Sequence, residues 1–492
     1  METLQPPLPT SPLGDVEPAE FRAAAHQAVD WISRYLTGPD TAPVLSRDEP
    51  GAIAGALPAE LPEHGESLAT ILGDFERILV PGLTHWNHPR FFAYFAISAS
   101  APGVLGELLT AAVNQQAMLW RTSPAATELE EVVLGWLRNL LGLPAPFEGV
   151  IYDGGSSSNL HALLAAREAA VAEVRVRGLA GRGDLPDLRV YCSEHAHSSV
   201  DKAAIVLGLG QQGVRKVAVD DAYRMRPDAL EQCVREDLAQ GRLPIGVVAT
   251  VGTTSTSAID PVPAIADVCA RHRLWLHVDA SYAGPAAMLP SHAWIFDGVD
   301  RADSLVVNPH KWLFVPLDAS AFYCRRMEVL RAALALTPDY LENPEAGRVR
   351  NLMDNGIALG RRFRALKLWM VMRAFGADGL RARIAEHIRL ARRFAAGVEA
   401  DAGFEILAPL PLSLVCFRAR PSGLPDEAID AFNERLLERI NASGEALLSH
   451  TRLRGRYALR LAVGHLRTSE GDIDRTWEVI QEQARALLAD GV

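Results

Sequence analysis

Asn308-Pro-His-Lys-Trp-Leu-Phe-Val315 follows directly on Asp303-Ser-Leu-Val-Val307. The apolar run predicts a short buried strand that Asn-Pro ends, so His310 and Lys311 enter the turn at the strand's carboxyl end. In an open α/β sheet that edge is where ligands bind. An amine placed there is costly to desolvate. Its pKa falls and it becomes a nucleophile, and one use of such a lysine is a Schiff base with a carbonyl such as the aldehyde of pyridoxal phosphate. A surface lysine trailing a core strand is the plainer reading of the same residues.

A second apolar strand, Leu274-Trp-Leu-His-Val-Asp279, places a carboxylate at its own carboxyl end, one βαβ-sized unit before Lys311. Pyridoxal phosphate needs its ring nitrogen kept protonated, and an ionised Asp279 beside that nitrogen supplies this. Alone, Asp279 would read as a helix N-cap; together with Lys311 it favours the cofactor.

Three further strand ends point to the same edge. Gly149-Val-Ile-Tyr152 leads into Asp153-Gly-Gly-Ser-Ser-Ser-Asn159 and a helical pattern, so Gly155 and Ser156 are candidates to hold a phosphate at a helix N-terminus, or else an ordinary Ser/Asn cap. Tyr191-Cys-Ser-Glu-His-Ala-His-Ser-Ser199 carries two histidines, one of which can stack on a planar cofactor or lie at the surface. Ile245-Gly-Val-Val-Ala-Thr-Val-Gly-Thr-Thr254 reads as a buried parallel strand whose terminal hydroxyls can reach a cofactor oxygen or close a turn.

Composition sets bounds. The chain has 492 residues, too many for one compact domain, and 49% of them are hydrophobic, ample for a core. Net charge is −11 with no basic cluster, which disfavours nucleic acid and anionic membranes as partners. Met1–Pro12 lacks a basic, apolar leader pattern and no run of about 18 apolar residues occurs, so a cytoplasmic protein is expected. Cys192, Cys233, Cys269, Cys324 and Cys416 lack CxxC spacing, which suits reduced thiols and no metal site; Cys192, Cys324 and Cys416 fall in apolar strands.

Residues from about 100 to 385 alternate strands and helices, the pattern of a parallel sheet covered on both faces. Helical segments are expected near 17–37 and 66–79. From about 386 a long helix, short strands at Gly403–Leu407, Leu412–Arg418 and Tyr457–Val463, and an amphipathic helix near 426–441 predict a small α+β domain. The expected division is therefore 1–100, 101–385 and 386–492.

Six stretches in order carry a resemblance: Pro81–Phe95, Ser123–Glu130, Ala196–Ser199, His277–Gly284, Asn308–Phe314 and Leu359–Arg364. The chain resembles the group II pyridoxal-phosphate-dependent decarboxylases of the aromatic-L-amino-acid type over about residues 18 to 485. The resemblance implies fold type I, with a mostly parallel seven-stranded sheet, and a homodimer with its sites at the interface. It implies Lys311 as the Schiff-base lysine, Asp279 at the pyridine nitrogen, His197 stacked on the ring, and Thr254, Gly155, Ser156, Asn308, His310 and Ser281 around the cofactor. It also implies that Tyr340, in the breaker-rich segment Leu336–Gly347, serves a mobile loop that returns a proton to the substrate carbon across the dimer.

Trp86, Tyr94 and Phe95 match the substrate pocket of the family's aromatic members. Ile97, Met118 and Ser281 depart from the pattern, and Gly360 leaves room for an indole. An aromatic L-amino acid of the tryptophan, tyrosine or dopa class is the expected substrate. A non-aromatic acidic substrate would want a cationic side chain nearby, for which Arg90 is the candidate. The alternatives are an aldehyde synthase of the same family, an aminotransferase on the same fold and a catalytically silent dimeric binding protein. Intact Tyr340, His197, Asp279 and Lys311 favour the decarboxylase.

Overall fold

The computed structural model describes residues 14–38, 42–336, 345 and 347–490. The chain divides into two compact units, Met1–His88 and Pro89–Val492.

In the first unit the helix Pro18–Thr37 is followed by Leu68–Asp74 and a wider turn, Phe75–Leu79. Trp31 is the aromatic centre of this unit: it stacks on Tyr35 (centroids 5.0 Å apart) and meets Phe75 edge-on at 4.9 Å. Ser67 caps the second helix by accepting from the Thr70 amide.

The second unit is built on a seven-stranded sheet of β1 (Glu148–Tyr152), β2 (Leu188–Ser193), β3 (Val214–Val217), β4 (Leu243–Thr250), β5 (Trp275–Asp279), β6 (Ser304–Val307) and β7 (Ser320–Cys324). Their order is β1-β7-β6-β5-β4-β2-β3. β7 runs antiparallel to both neighbours, and the remaining contacts are parallel. β5, β6 and β7 are buried along their whole lengths, which is why they read as continuous apolar runs rather than as alternating ones. Side chains alternate between two cores: Leu276 and Val278 of β5 pack on one face, and Trp275 packs on the other with Ala162, Leu163 and Ala166 of the helix Gly155–Ala170. Cys192, Cys324 and Cys416 are buried, as expected.

A four-stranded antiparallel sheet follows, in the order β10-β11-β9-β8, from β8 (Phe404–Ile406), β9 (Leu414–Ala419), β10 (Ser449–Leu453) and β11 (Arg456–Ala462), with the helices Asp426–Ser443 and Glu470–Ala489. β10 escapes the sequence reading because Ser449-His-Thr-Arg-Leu453 is largely polar and half-exposed. The long helix does not begin near 386. It spans Ala365–Ala400, with a break at Gly376 (φ 63°), so helix crosses the position at which sequence composition changes.

Two of the six stretches meet beside β1. The Arg361 guanidinium donates to Glu130 Oε1 at 2.7 Å and to the Ile151 carbonyl, and the same Glu130 oxygen accepts from the Ile151 amide. A buried ion pair thus ties the strand that leads into the Gly-rich turn.

Candidate active site

Because β1, β2, β4, β5 and β6 all point the same way, the turns that follow them gather at one edge. There Phe95, Gly155, Ser156, Asn159, His197, Ser199, Thr254, Asp279, Ser281, Asn308, His310 and Lys311 line a cavity of about 240 Å³, together with Thr250, Gly252 and Tyr282. All nine residues predicted to surround the cofactor are among them.

Lys311 sits on the single helical turn Pro309–Trp312 that caps β6. Burial pulls its amine pKa down, against the opposing pull of Asp279. The Asp279 carboxyl is itself held below the ordinary carboxylate range although burial pushes the other way. The Ser281 amide donates to one oxygen and Asn159 Nδ2 to the other, at 3.1 and 2.9 Å. A buried, ionised carboxylate thus faces the cavity that Lys311 lines. His197 lies at the rim, and burial of its inner side lowers its pKa.

The lining also supplies hydrogen-bond donors. Ser320 Oγ donates to Asn308 Oδ1 at 2.7 Å, which leaves the Asn308 amide nitrogen as the group nearest Gly155. His310 Nδ1 accepts from the Ala319 amide at 3.0 Å, and burial holds the ring's pKa down to about 3, so the neutral ring carries its proton on Nε2. The helix N-terminus at Gly155 adds amides and a positive dipole end. A Cβ on Gly155 would lie 2.8 Å from Asn308 Nδ2 and 3.0 Å from Ser281 Oγ, so only a glycine leaves this cradle open. Thr250 Oγ1 is buried in the lining without a hydrogen-bond partner among the described residues, and a bound polar group can supply one.

The remaining predicted residues described in this unit lie apart from this lining, with one exception. β4 ends at Thr250, so Thr254 lies in the turn beyond the strand rather than at its tip. Tyr94 is exposed, with φ 52°, and does not line the cavity; of the residues predicted for the substrate pocket only Phe95 does, and Ile97 does not. Met118 packs near Leu119 and Met353, and Gly360 beside Gln116, both away from the lining. Trp86 belongs to the first unit. Arg90 is engaged with the Glu445 carbonyl and Asp472 and is not in the lining. Tyr340 lies outside the described residues.

Sequence reasoning missed Asn159, Ser199 and Thr250. The signal for Asn159 was its spacing: four positions after Gly155 in a helix, it returns to the same face.

A buried amine of lowered pKa, a buried ionised carboxylate and a donor-lined anion cradle at one sheet edge make up the equipment of a pyridoxal-phosphate site. The chain belongs to the pyridoxal-dependent decarboxylases: the family's conserved-domain model matches residues 50–420. It is 40% identical to a phenylacetaldehyde synthase of a Rosa hybrid cultivar over 96% of each chain. It is 38% identical to tyrosine decarboxylase 3 of Petroselinum crispum, over 97% of this chain and 94% of that one. Among solved structures it superposes on Oryza sativa TDC with PLP and tryptamine with a TM-score of 0.93 at 37% identity, covering 96% of this chain and 99% of that one. The protein is therefore a pyridoxal-phosphate-dependent amino-acid decarboxylase with the fold type I architecture expected from its sequence.

Proposed function

We infer that the substrate is an aromatic L-amino acid of the tryptophan, tyrosine or dopa class, converted to its amine and carbon dioxide. The observation that carries this reading is the wall beside Lys311. Phe95 lies 3.6 Å from Tyr282, centroid to centroid and nearly parallel, Lys311 Nζ is 5.8 Å from the Phe95 ring, and among the described residues no arginine lines the cavity. Such a wall suits a flat apolar side chain and offers nothing to pair with a second carboxylate. The names of the relatives support the same class.

When bound, pyridoxal phosphate supplies an aldehyde for an amine and a ring that accepts the electron pair left as carbon dioxide departs. With the cofactor bound, Lys311 would be the residue that bonds to the aldehyde and gives way to the substrate amine, and burial lowers its pKa in the direction that favours the nucleophilic free base. Asp279 would keep the ring nitrogen protonated, and His197 would cover one ring face. Gly155 and Ser156 would hold the phosphate, and Asn308, His310, Thr254 and Ser281 would complete the cofactor's surroundings. Tyr340 returns a proton to Cα.

The reading includes a homodimer in the cytoplasm. The helix Ala101–Val113 leaves Leu105, Leu108, Leu109 and Val113 exposed along one face, a stripe that a second copy would cover. Met118 and Gly360 then belong to the surface turned toward the partner's site. Among the described residues no helix is long and apolar enough to cross a membrane. The divisions 1–100, 101–385 and 386–492 are proposed as dimer-packing, cofactor-binding and C-terminal parts, with Phe95 of the first reaching the cavity and the helix Ala365–Ala400 running across the second boundary.

The second reading, an aldehyde synthase, is favoured by the first of the named relatives. One experiment separates the two: the holoenzyme is offered the twenty amino acids, with carbon dioxide, amine, aldehyde, ammonia and peroxide scored. Amine and carbon dioxide in equal amounts from one or more aromatic amino acids is the expected result. Aldehyde with peroxide, or turnover of an acidic amino acid only, overturns it.

A further inference from the structure

Behind the carboxylate that lines the cavity runs a file of polar side chains with no place in the mechanism above. Trp275, His277 and Asp279 alternate along β5 and so share the face that meets the helix Gly155–Ala170. His277 is paired in register with Ser304 of β6. Trp275 Nε1 is 2.9 Å from Ser304 Oγ, Ser304 Oγ is 2.9 Å from His277 Nδ1, and His277 Nε2 is 2.9 Å from Asn159 Oδ1. Asn159 Nδ2 then reaches both Asp279 Oδ2 at 2.9 Å and Ser199 Oγ at 2.7 Å, and Ser199 Oγ lies 2.9 Å from His197 Nδ1. Except for His197 at the rim, every member is buried.

Only one arrangement of protons satisfies this file. An ionised Asp279 requires the amide nitrogen of Asn159 on its side, since an amide oxygen there would face a negative charge. Asn159 Oδ1 must then accept from His277 Nε2–H, so His277 Nδ1 accepts from the Ser304 hydroxyl, which itself accepts from Trp275. On the far side the Ser199 amide donates to His197 Nδ1 at 3.1 Å, so that nitrogen carries no proton and the neutral ring keeps its proton on Nε2. The donors all run one way, from Trp275 toward the two groups that touch the cofactor.

We propose that Asn159 is a positioning residue that couples Asp279 to His197, with His277 as the donor that fixes its amide. It presents two donors from a single amide, one holding the carboxylate in place for the ring nitrogen and the other orienting the Ser199 hydroxyl, whose oxygen lies against His197 Nδ1. Burial lowers the His277 pKa to about 4, which keeps this ring neutral and the file intact at working pH. The proposal rests on the roles of Asp279 and His197 given above.

The test compares Asn159→Ala, Asp279→Ala, His277→Leu and His277→Gln, reading cofactor affinity by titrating the apoprotein, thermal stability without cofactor, and kcat separately from KM. A hydrogen bond to a buried charge sets the scale at about tenfold to a hundredfold. Asn159→Ala is expected to bind pyridoxal phosphate at least tenfold more weakly and to lose at least tenfold in kcat, with KM little changed. His277→Gln keeps an amide donor and should restore most of what His277→Leu loses. Loss in Asp279→Ala with wild-type behaviour in Asn159→Ala overturns the coupling alone; loss in neither overturns the underlying roles. Should Asn159→Ala fail to fold, the His277 pair decides, and equal cofactor affinity in Leu and Gln variants sinks the proposal.

Discussion

Arg460, on β11 of the small sheet, donates to the carbonyl of Thr254 at 2.5 Å and to that of Ser255 at 3.1 Å, in the turn that closes one side of the cofactor cavity. The same guanidinium reaches Ser449 Oγ at 2.7 Å and stands 5.5 Å from the Phe95 ring. One buried side chain of the C-terminal sheet therefore holds both a cofactor-side turn and the aromatic wall. Arg460→Met keeps the stem and removes every donor. It is expected to cost about 3 kcal/mol of stability, the scale of hydrogen bonds from a buried charge, and to weaken cofactor binding. Chemical denaturation and apoprotein titration check it; an unchanged affinity would show that the turn holds its shape unaided.

Lys311→Ala should abolish turnover. After borohydride treatment and denaturation the wild type should retain cofactor covalently and the variant none, because no other amine lines the cavity among the described residues. Wild-type turnover in the variant would remove the central assignment.

Gly155→Ala places a Cβ against Asn308 Nδ2 and Ser281 Oγ. Gly155 opens a helix and is not in the left-handed region, so alanine adds no backbone strain. The expected outcome is cofactor affinity reduced by about tenfold, the scale of one displaced hydrogen bond, with an apoprotein melting temperature that does not fall. A lowered melting temperature with normal affinity would mean that the close contact matters only for packing.

His277 and His387 are buried imidazoles whose pKa burial holds down to about 4; His387 Nδ1 accepts from Trp312 Nε1 at 2.9 Å. In the unfolded chain both titrate near 6.5. Between these values the unfolded state binds one proton more at each site, so their contribution is fully present above about pH 6.5 and declines as pH falls toward 4. The slope is roughly 1.4 kcal/mol per pH unit for each ring. Urea midpoints at pH 7.5, 6.5 and 5.5 should fall in that order, and His387→Phe should flatten the profile. Equal midpoints would show that these rings do not stay neutral in the folded protein.

If Tyr340 returns the proton to Cα as proposed, Tyr340→Phe should keep cofactor binding and carbon dioxide release but lose amine, since only that later step would use the phenol. The expected product is aldehyde, with ammonia and hydrogen peroxide, formed as oxygen intercepts the unprotonated carbon. Undiminished amine formation would assign the proton to another donor, such as His197 or water.

What the sequence determined by itself was the set of strand ends. Short apolar runs stopped by Asn-Pro, Asp or Gly-Gly announce both a buried parallel strand and the residue that leaves it, which places Lys311, Asp279, Gly155 and His197 at one edge. The resemblance to the decarboxylase family rests on stretches that include these strand ends. Tertiary structure alone decided which polar residues meet. Asn159 and Asp279 are 120 positions apart, and their contact depends on a helix laid over β5 in one register. Arg460 reaches Thr254 across 206 positions through a second sheet whose polar edge strand carries no apolar pattern. Local periodicity records which face of an element is buried, and it holds no record of what that face is buried against. The same limit explains the substrate residues: Tyr94 and Phe95 are adjacent in an aromatic stretch, yet a positive φ at Tyr94 turns one side chain out to solvent and leaves the other in the cavity.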